Sequence, residues 1–171
     1  MSDNRSQWYI GAPNGIVLCI NSRRGSTLSG ELYHSYREDA VYFRNIEEMT
    51  RIMESLYDEL QYPHLGTNQR SFVPVTPTYN RYAQERNRIM SDERLLSKHG
   101  DIGTFIVRVQ HRQNSSWQGR VTWMEQNQTL NFRSIWEMIK LIESAMDTVS
   151  IQEEEGEEEA WAVDFGSDSD Q

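Results

Sequence analysis

One cysteine in 171 residues, Cys19, leaves no internal disulfide and no thiolate metal site of the usual kinds. It lies in the apolar run Ile16 to Ile20, where a small buried residue is expected. No apolar run approaches the roughly 20 residues that a membrane span needs. The polar start MSDNRSQW has no secretory pattern, so a cytoplasmic location is expected. The four histidines, His34, His64, His99 and His111, lack metal-ligand spacing, and no nucleotide-binding glycine loop, nucleophile elbow or His-Glu-x-x-His motif occurs. We therefore expect no metal, no cofactor and no catalytic residue. Basic excess is missing as well. Of the 26 acids, nine fall in residues 151–171, which contain no base, so residues 1–150 balance 17 acids against 17 bases. The acidity is a tail on a neutral body, which weakens any case for binding a polyanion.

What is present is a repeat. Displaced by 89 positions, Gly30 falls on Gly119, Phe43 on Phe132, Arg44 on Arg133, Ile46 on Ile135, Glu48 on Glu137, Met49 on Met138, Glu54 on Glu143 and Asp58 on Asp147. Matching caps and helix stripes at one offset read as an internal duplication.

Each half reads as three strands and a helix. In the first, Ile16–Ile20 is a short apolar strand, and Arg23–Thr27 is a turn. Leu28, Gly30, Leu32 and His34 then share one face of a second strand, and Val41 and Phe43 point inward from a third. Asn45 caps a helix, with Glu48 three residues on, and Ile46, Met49, Met53, Leu56 and Leu60 form its buried stripe. In the second half, Phe105, Val107 and Val109 point one way along the first strand, Trp117, Gly119, Val121 and Trp123 of the next fall in register with Leu28, Gly30, Leu32 and His34, and Leu130 and Phe132 repeat Val41 and Phe43. Ser134 and Glu137 form a capping box ahead of the stripe Ile135, Met138, Ile142, Ala145 and Val149. Pro63, Pro74 and Pro77 make 63–77 a connector, and residues 79–98 read as a bridging helix with a fresh N-cap at Ser91.

The expected fold class is α+β: two tandem strand-strand-strand-helix repeats packed as a pseudo-dimer about an approximate twofold axis. The segments are a polar lead-in (1–14), a first repeat (15–62), a connector and bridging helix (63–100), a second repeat (101–150) and a disordered acidic tail (151–171).

The stretches SWQGRVTW and FRSIWEMIKLIESAM resemble a sequence type found in short, functionally uncharacterised proteins of Gram-positive bacteria, with the pattern SWQGxVxW, then FRS, then ExIxLIxSA. The first half, FRNIEEMTRIMESLYDELQYP with RSF at 70–72, is similar to the other half of such proteins. This resemblance implies a bacterial source and carries no activity or site residue. In architecture, three strands and a helix also resemble plant transcription-factor and phage-integrase modules that read DNA through an exposed sheet face.

For function, the candidate binding face comprises Tyr33, Tyr42, Arg44, Arg108, Arg120 and Arg133 on the outer sheet surface, with Trp136 off the buried helix stripe. The other reading of Arg44 and Arg133 is structural: they hydrogen-bond the helix start or the partner sheet and hold the pseudo-dimer together. Trp117 and Trp123 belong to the core in this register. The acids at Glu54/Glu143 and Asp58/Asp147 are expected on solvated helix faces, and Trp161, Val163 and Phe165 form a short apolar motif in the tail. The expectation is a non-enzymatic protein-binding or regulatory protein, a monomer or homodimer with no membrane association. The alternatives are a nucleic-acid-binding module using the arginine and tyrosine faces, and an enzyme with its site between the repeats.

Overall fold

A computed structural model describes Ile10, residues 13–66, 70–74 and 86–164, with 151–164 as backbone only. The chain is α+β, and its described residues form six antiparallel strands in one sheet and three helices: β1 (Ile16–Arg24), β2 (Thr27–His34), β3 (Val41–Phe43), α1 (Ile46–Leu60), α2 (Asp92–Leu96), β4 (Gly103–His111), β5 (Gln118–Trp123), β6 (Gln128–Phe132) and α3 (Ile135–Asp164). No helix among the described residues is long and apolar enough to cross a membrane.

Strand order is β3-β2-β1-β4-β5-β6, so the two three-stranded runs join edge to edge through β1 and β4. Val17 pairs with Ile106 in that junction. Corresponding pairings recur 89 positions apart: Ile20 with Gly30 and Val109 with Gly119, Gly30 with Phe43 and Gly119 with Phe132. Bulges fall between Ile20 and Ser22 and between Val109 and His111. Both glycines are needed there, because a Cβ on Gly30 would strike the Cys19 carbonyl and one on Gly119 the Arg108 carbonyl.

Alternation along the strands decides the two faces. Ile16, Leu18, Ile20, Leu28, Leu32, Phe43, Phe105, Val107, Val109, Trp117, Val121 and Phe132 form one core with Met49, Met53 and Leu56 of α1 and Met138, Ile142 and Ala145 of α3. Both helix starts are capped as the sequence indicates: the Glu48 amide donates to Asn45 Oδ1 at 2.8 Å and the Glu137 amide to Ser134 Oγ at 3.0 Å. On the other face, Val17, Cys19 and Ile106 form a second cluster with Ile10, Met90, Leu95 and Met124. Burial there pushes the Cys19 thiol up to about 12, which leaves it protonated and inert.

Four expectations change. β1 runs on to Arg24, and its hairpin turns on Gly25 (φ 60°) and Ser26 alone, because the bulge keeps the ladder paired as far as Arg24 and Thr27. The bridging helix shrinks to Asp92–Leu96: residues 86–90 are not helical, since the Ile89 and Met90 amides donate to the Ser35 carbonyl, whereas Ser91 does cap α2. Residues 79–85 lie outside the described residues, as do Trp8 and Tyr9 of the lead-in. In place of a disordered tail from 151, α3 continues to Asp164, consistent with the high helix propensity of glutamate and alanine on an already nucleated helix. Residues 165–171 lie outside the description.

Fourth, three of the four helix acids are engaged. Arg112 is 3% exposed, and its Nε donates to the Pro63 carbonyl at 2.7 Å while its Nη1 reaches Asp58 at 2.7 Å and Glu54 at 3.3 Å. Trp117 Nε1 donates to the other Glu54 oxygen at 2.5 Å and sets its ring edge-on to Tyr57, 5.4 Å between centroids. Arg23 bridges Asp147 at 2.5 Å. An arginine at the far end of a central strand reaches the last turns of a helix distant in sequence, a contact that no local pattern signals.

Candidate binding clefts

The sequence-derived face is not one surface. Arg44 follows β3 and Arg133 follows β6, at opposite edges of the sheet. With strands about 4.8 Å apart, those edges stand roughly 24 Å from each other. Each arginine bonds its own helix start: Arg44 Nε to Glu48 and Arg133 Nε to Glu137, both at 3.2 Å. The Arg44 amide also donates to Glu48 at 2.8 Å, and these bonds hold the Glu48 carboxyl below the usual range. Arg108 and Arg120 sit opposite each other across β4 and β5. Tyr42 is 70% exposed on β3 opposite Glu31. Tyr33 donates to Glu31 at 2.5 Å and lies under Lys98; burial first, then the bond to Glu31 and the charge of that carboxylate, raise its hydroxyl pKa. Trp136 is 62% exposed beneath Lys140. Trp161 and Val163 lie within α3, and Phe165 falls outside the described residues.

Sequence reading missed a pair of clefts. One, of about 240 Å³, opens between α3 and the β5–β6 edge and is lined by Phe105, Val121, Trp123, Gln128, Leu130, Leu141, Ser144, Ala145 and Thr148. The other, of about 520 Å³, opens between α1 and the β2–β3 edge and includes His34, Val41, Ile52, Ser55, Leu56 and Glu59. Those six residues lie 89 positions before Trp123, Leu130, Leu141, Ser144, Ala145 and Thr148. The same groove between helix and edge strand therefore occurs twice, with different linings.

The α3 cleft is mainly apolar. Leu130 points to the helix side of β6, yet it is 54% exposed, because β6 is an edge strand that α3 covers only at its Phe132 end. The buried indole N–H of Trp123 has no hydrogen-bond partner among the described residues.

The α1 cleft is polar at its mouth, where Arg37, Arg51 and Arg86 join Tyr36, Glu48 and Glu59. Arg86 pairs with Glu59 at 2.8 Å and Arg51 with Glu47 at 3.0 Å. Burial, helped by the charges of Arg37 and Arg86, lowers the His34 pKa to about 4, so the ring is neutral near pH 7. Its Nδ1 accepts from the Tyr36 amide at 3.2 Å, which places the ring proton on Nε2. The offset applied to cleft residues, rather than to core residues alone, could have marked both grooves. Arg86 has no counterpart, and nothing in its surroundings signals its role.

Compared with family models, curated proteins and solved structures, the chain matches none.

Proposed function

We propose that this is a non-enzymatic binding protein of the regulatory or adaptor kind, built on a duplicated scaffold whose halves are related by an approximate twofold axis through the Val17–Ile106 pair. Support for the duplication comes from those two residues, themselves 89 positions apart and paired with each other. Further support comes from Arg23, 89 positions before Arg112: Arg112 bridges Asp58 of α1 and Arg23 bridges Asp147 of α3. Each half thus lends an arginine to the helix of the other.

The partner is a protein, docking on the α3 cleft. Leu130 carries this reading: an apolar residue in core register, on a sheet edge, left half-open by its own helix. Among the described residues β6 pairs only with β5, so an extended segment could add to the edge by main-chain hydrogen bonds and place a side chain beside Leu130 and Leu141. The acidic segment 151–171 is an interaction or anti-association element continuing from the helix that walls this cleft.

Affinity capture with the wild type, Leu130→Asp and Glu143→Ala tests the reading. A discrete partner retained by Glu143→Ala and lost with Leu130→Asp is expected. Identical partner lists for both variants would contradict it.

A further inference from the structure

The α1 cleft differs from its counterpart in what it can recognise. Its walls include Val41, Ile52 and Leu56, and its volume of about 520 Å³ lies within the range of small-molecule sites. The acids at its mouth are already engaged, Glu48 with Arg44 and Glu59 with Arg86. Arg37 has no ion-pair or hydrogen-bond partner among the described residues. Among the described residues Arg51 is held only by an exposed i,i+4 pair with Glu47, which is readily exchanged. At the equivalent positions of the α3 cleft, His34 is replaced by Trp123 and Arg37 by Gln126.

From this geometry we infer that the α1 cleft binds a small organic anion, an apolar body bearing one carboxylate or phosphate. The body lies on Ile52 and Leu56, and the oxyanion meets Arg37 and Arg51. Guanidinium forks suit both head groups, because each presents paired oxygens. The neutral ring of His34 adds a donor without bringing its own charge into the cleft. This site is separate from the α3 cleft, so failure of either proposal leaves the other standing.

Titrations of the full chain with hexanoate, hexyl phosphate, inorganic phosphate and hexanol, followed by amide chemical shifts, test the inference. Hexanoate or hexyl phosphate should shift amides around Ile52, Leu56 and Arg37 saturably, and whichever binds more tightly identifies the head group. Inorganic phosphate and hexanol should each bind at least ten-fold more weakly, lacking body or charge. Arg37→Gln should weaken the better anion about ten-fold and Arg37→Lys should recover part of that loss, while the α3 cleft amides stay unmoved. Equal binding of hexanol and the anions, unchanged affinity in Arg37→Gln, or the absence of saturable shifts at the α1 cleft would overturn it.

Discussion

Arg112, at the end of β4, reaches back across the core to Asp58 in the last turn of α1, 2.7 Å from guanidinium to carboxylate. Its Nη2 lies 3.5 Å from the Tyr57 carbonyl, and its Nε holds the carbonyl of Pro63. Arg112→Ala strips a buried charge from two carboxylates and two backbone carbonyls, and should cost about 3–5 kcal/mol in urea unfolding. Arg23→Ala removes one ion pair from an arginine whose own side chain is 22% exposed, and should cost less than about 1 kcal/mol. Equal losses would mean that the burial of Arg112 does not set its weight.

Gly30 and Gly119 sit where a side chain would strike the backbone of the neighbouring strand. Gly30→Ala and Gly119→Ala should each destabilise by about 3 kcal/mol, the upper end of ordinary overpacking, because a carbonyl cannot swing aside as a side chain can. Thermal melts read this directly. A neutral effect at either position would show that the bulged strand beside it can shift without loss.

Phe43 and Phe132 are each 2% exposed, opposite those glycines. Phe43→Ala and Phe132→Ala should cost about 3–5 kcal/mol, enough to unfold a marginal domain, whereas Glu143→Ala should stay within about 0.5 kcal/mol. If Phe132→Ala and Glu143→Ala melt alike, the inward register of β6 is wrong.

The faces of the strands and the stripes of α1 and the first turns of α3 were legible because period and parity are local properties: Phe43, Met53, Trp117 and Ile142 all lie where alternation and helical spacing put them. The junction of β1 and β4, the Arg112 network and the two clefts were not, since each depends on which edges meet. Residues 86–90 misled because Met90 anchors to the outer sheet face, a tertiary contact that overrides an apparent helical spacing. The residues chosen as a binding face were chosen by type. Arg44 and Arg133 bond their own helix starts at opposite edges, whereas Leu130, in core register by parity, is 54% exposed.

His34 gives a pH dependence whose sign follows from its lowered pKa. Below its ordinary value of 6.5 the unfolded chain takes up a proton that the folded chain refuses until about pH 4. Stability from this group is therefore full above pH 6.5 and falls as pH drops through that window, by about 2 kcal/mol between pH 7 and pH 5. Denaturant midpoints at those two pH values should converge in His34→Gln relative to wild type. An unchanged difference would assign the acid sensitivity to other groups.

The proposed protein partner occupies the groove beside β6. A photoreactive phenylalanine analogue in place of Leu130, activated in cells that produce the protein naturally, tests this occupancy, with the same substitution at exposed Tyr42 on the opposite sheet edge as control. A discrete cross-linked protein adduct is expected from position 130 and none of the same mass from position 42. No adduct at position 130, or the same adduct from both edges, would contradict it.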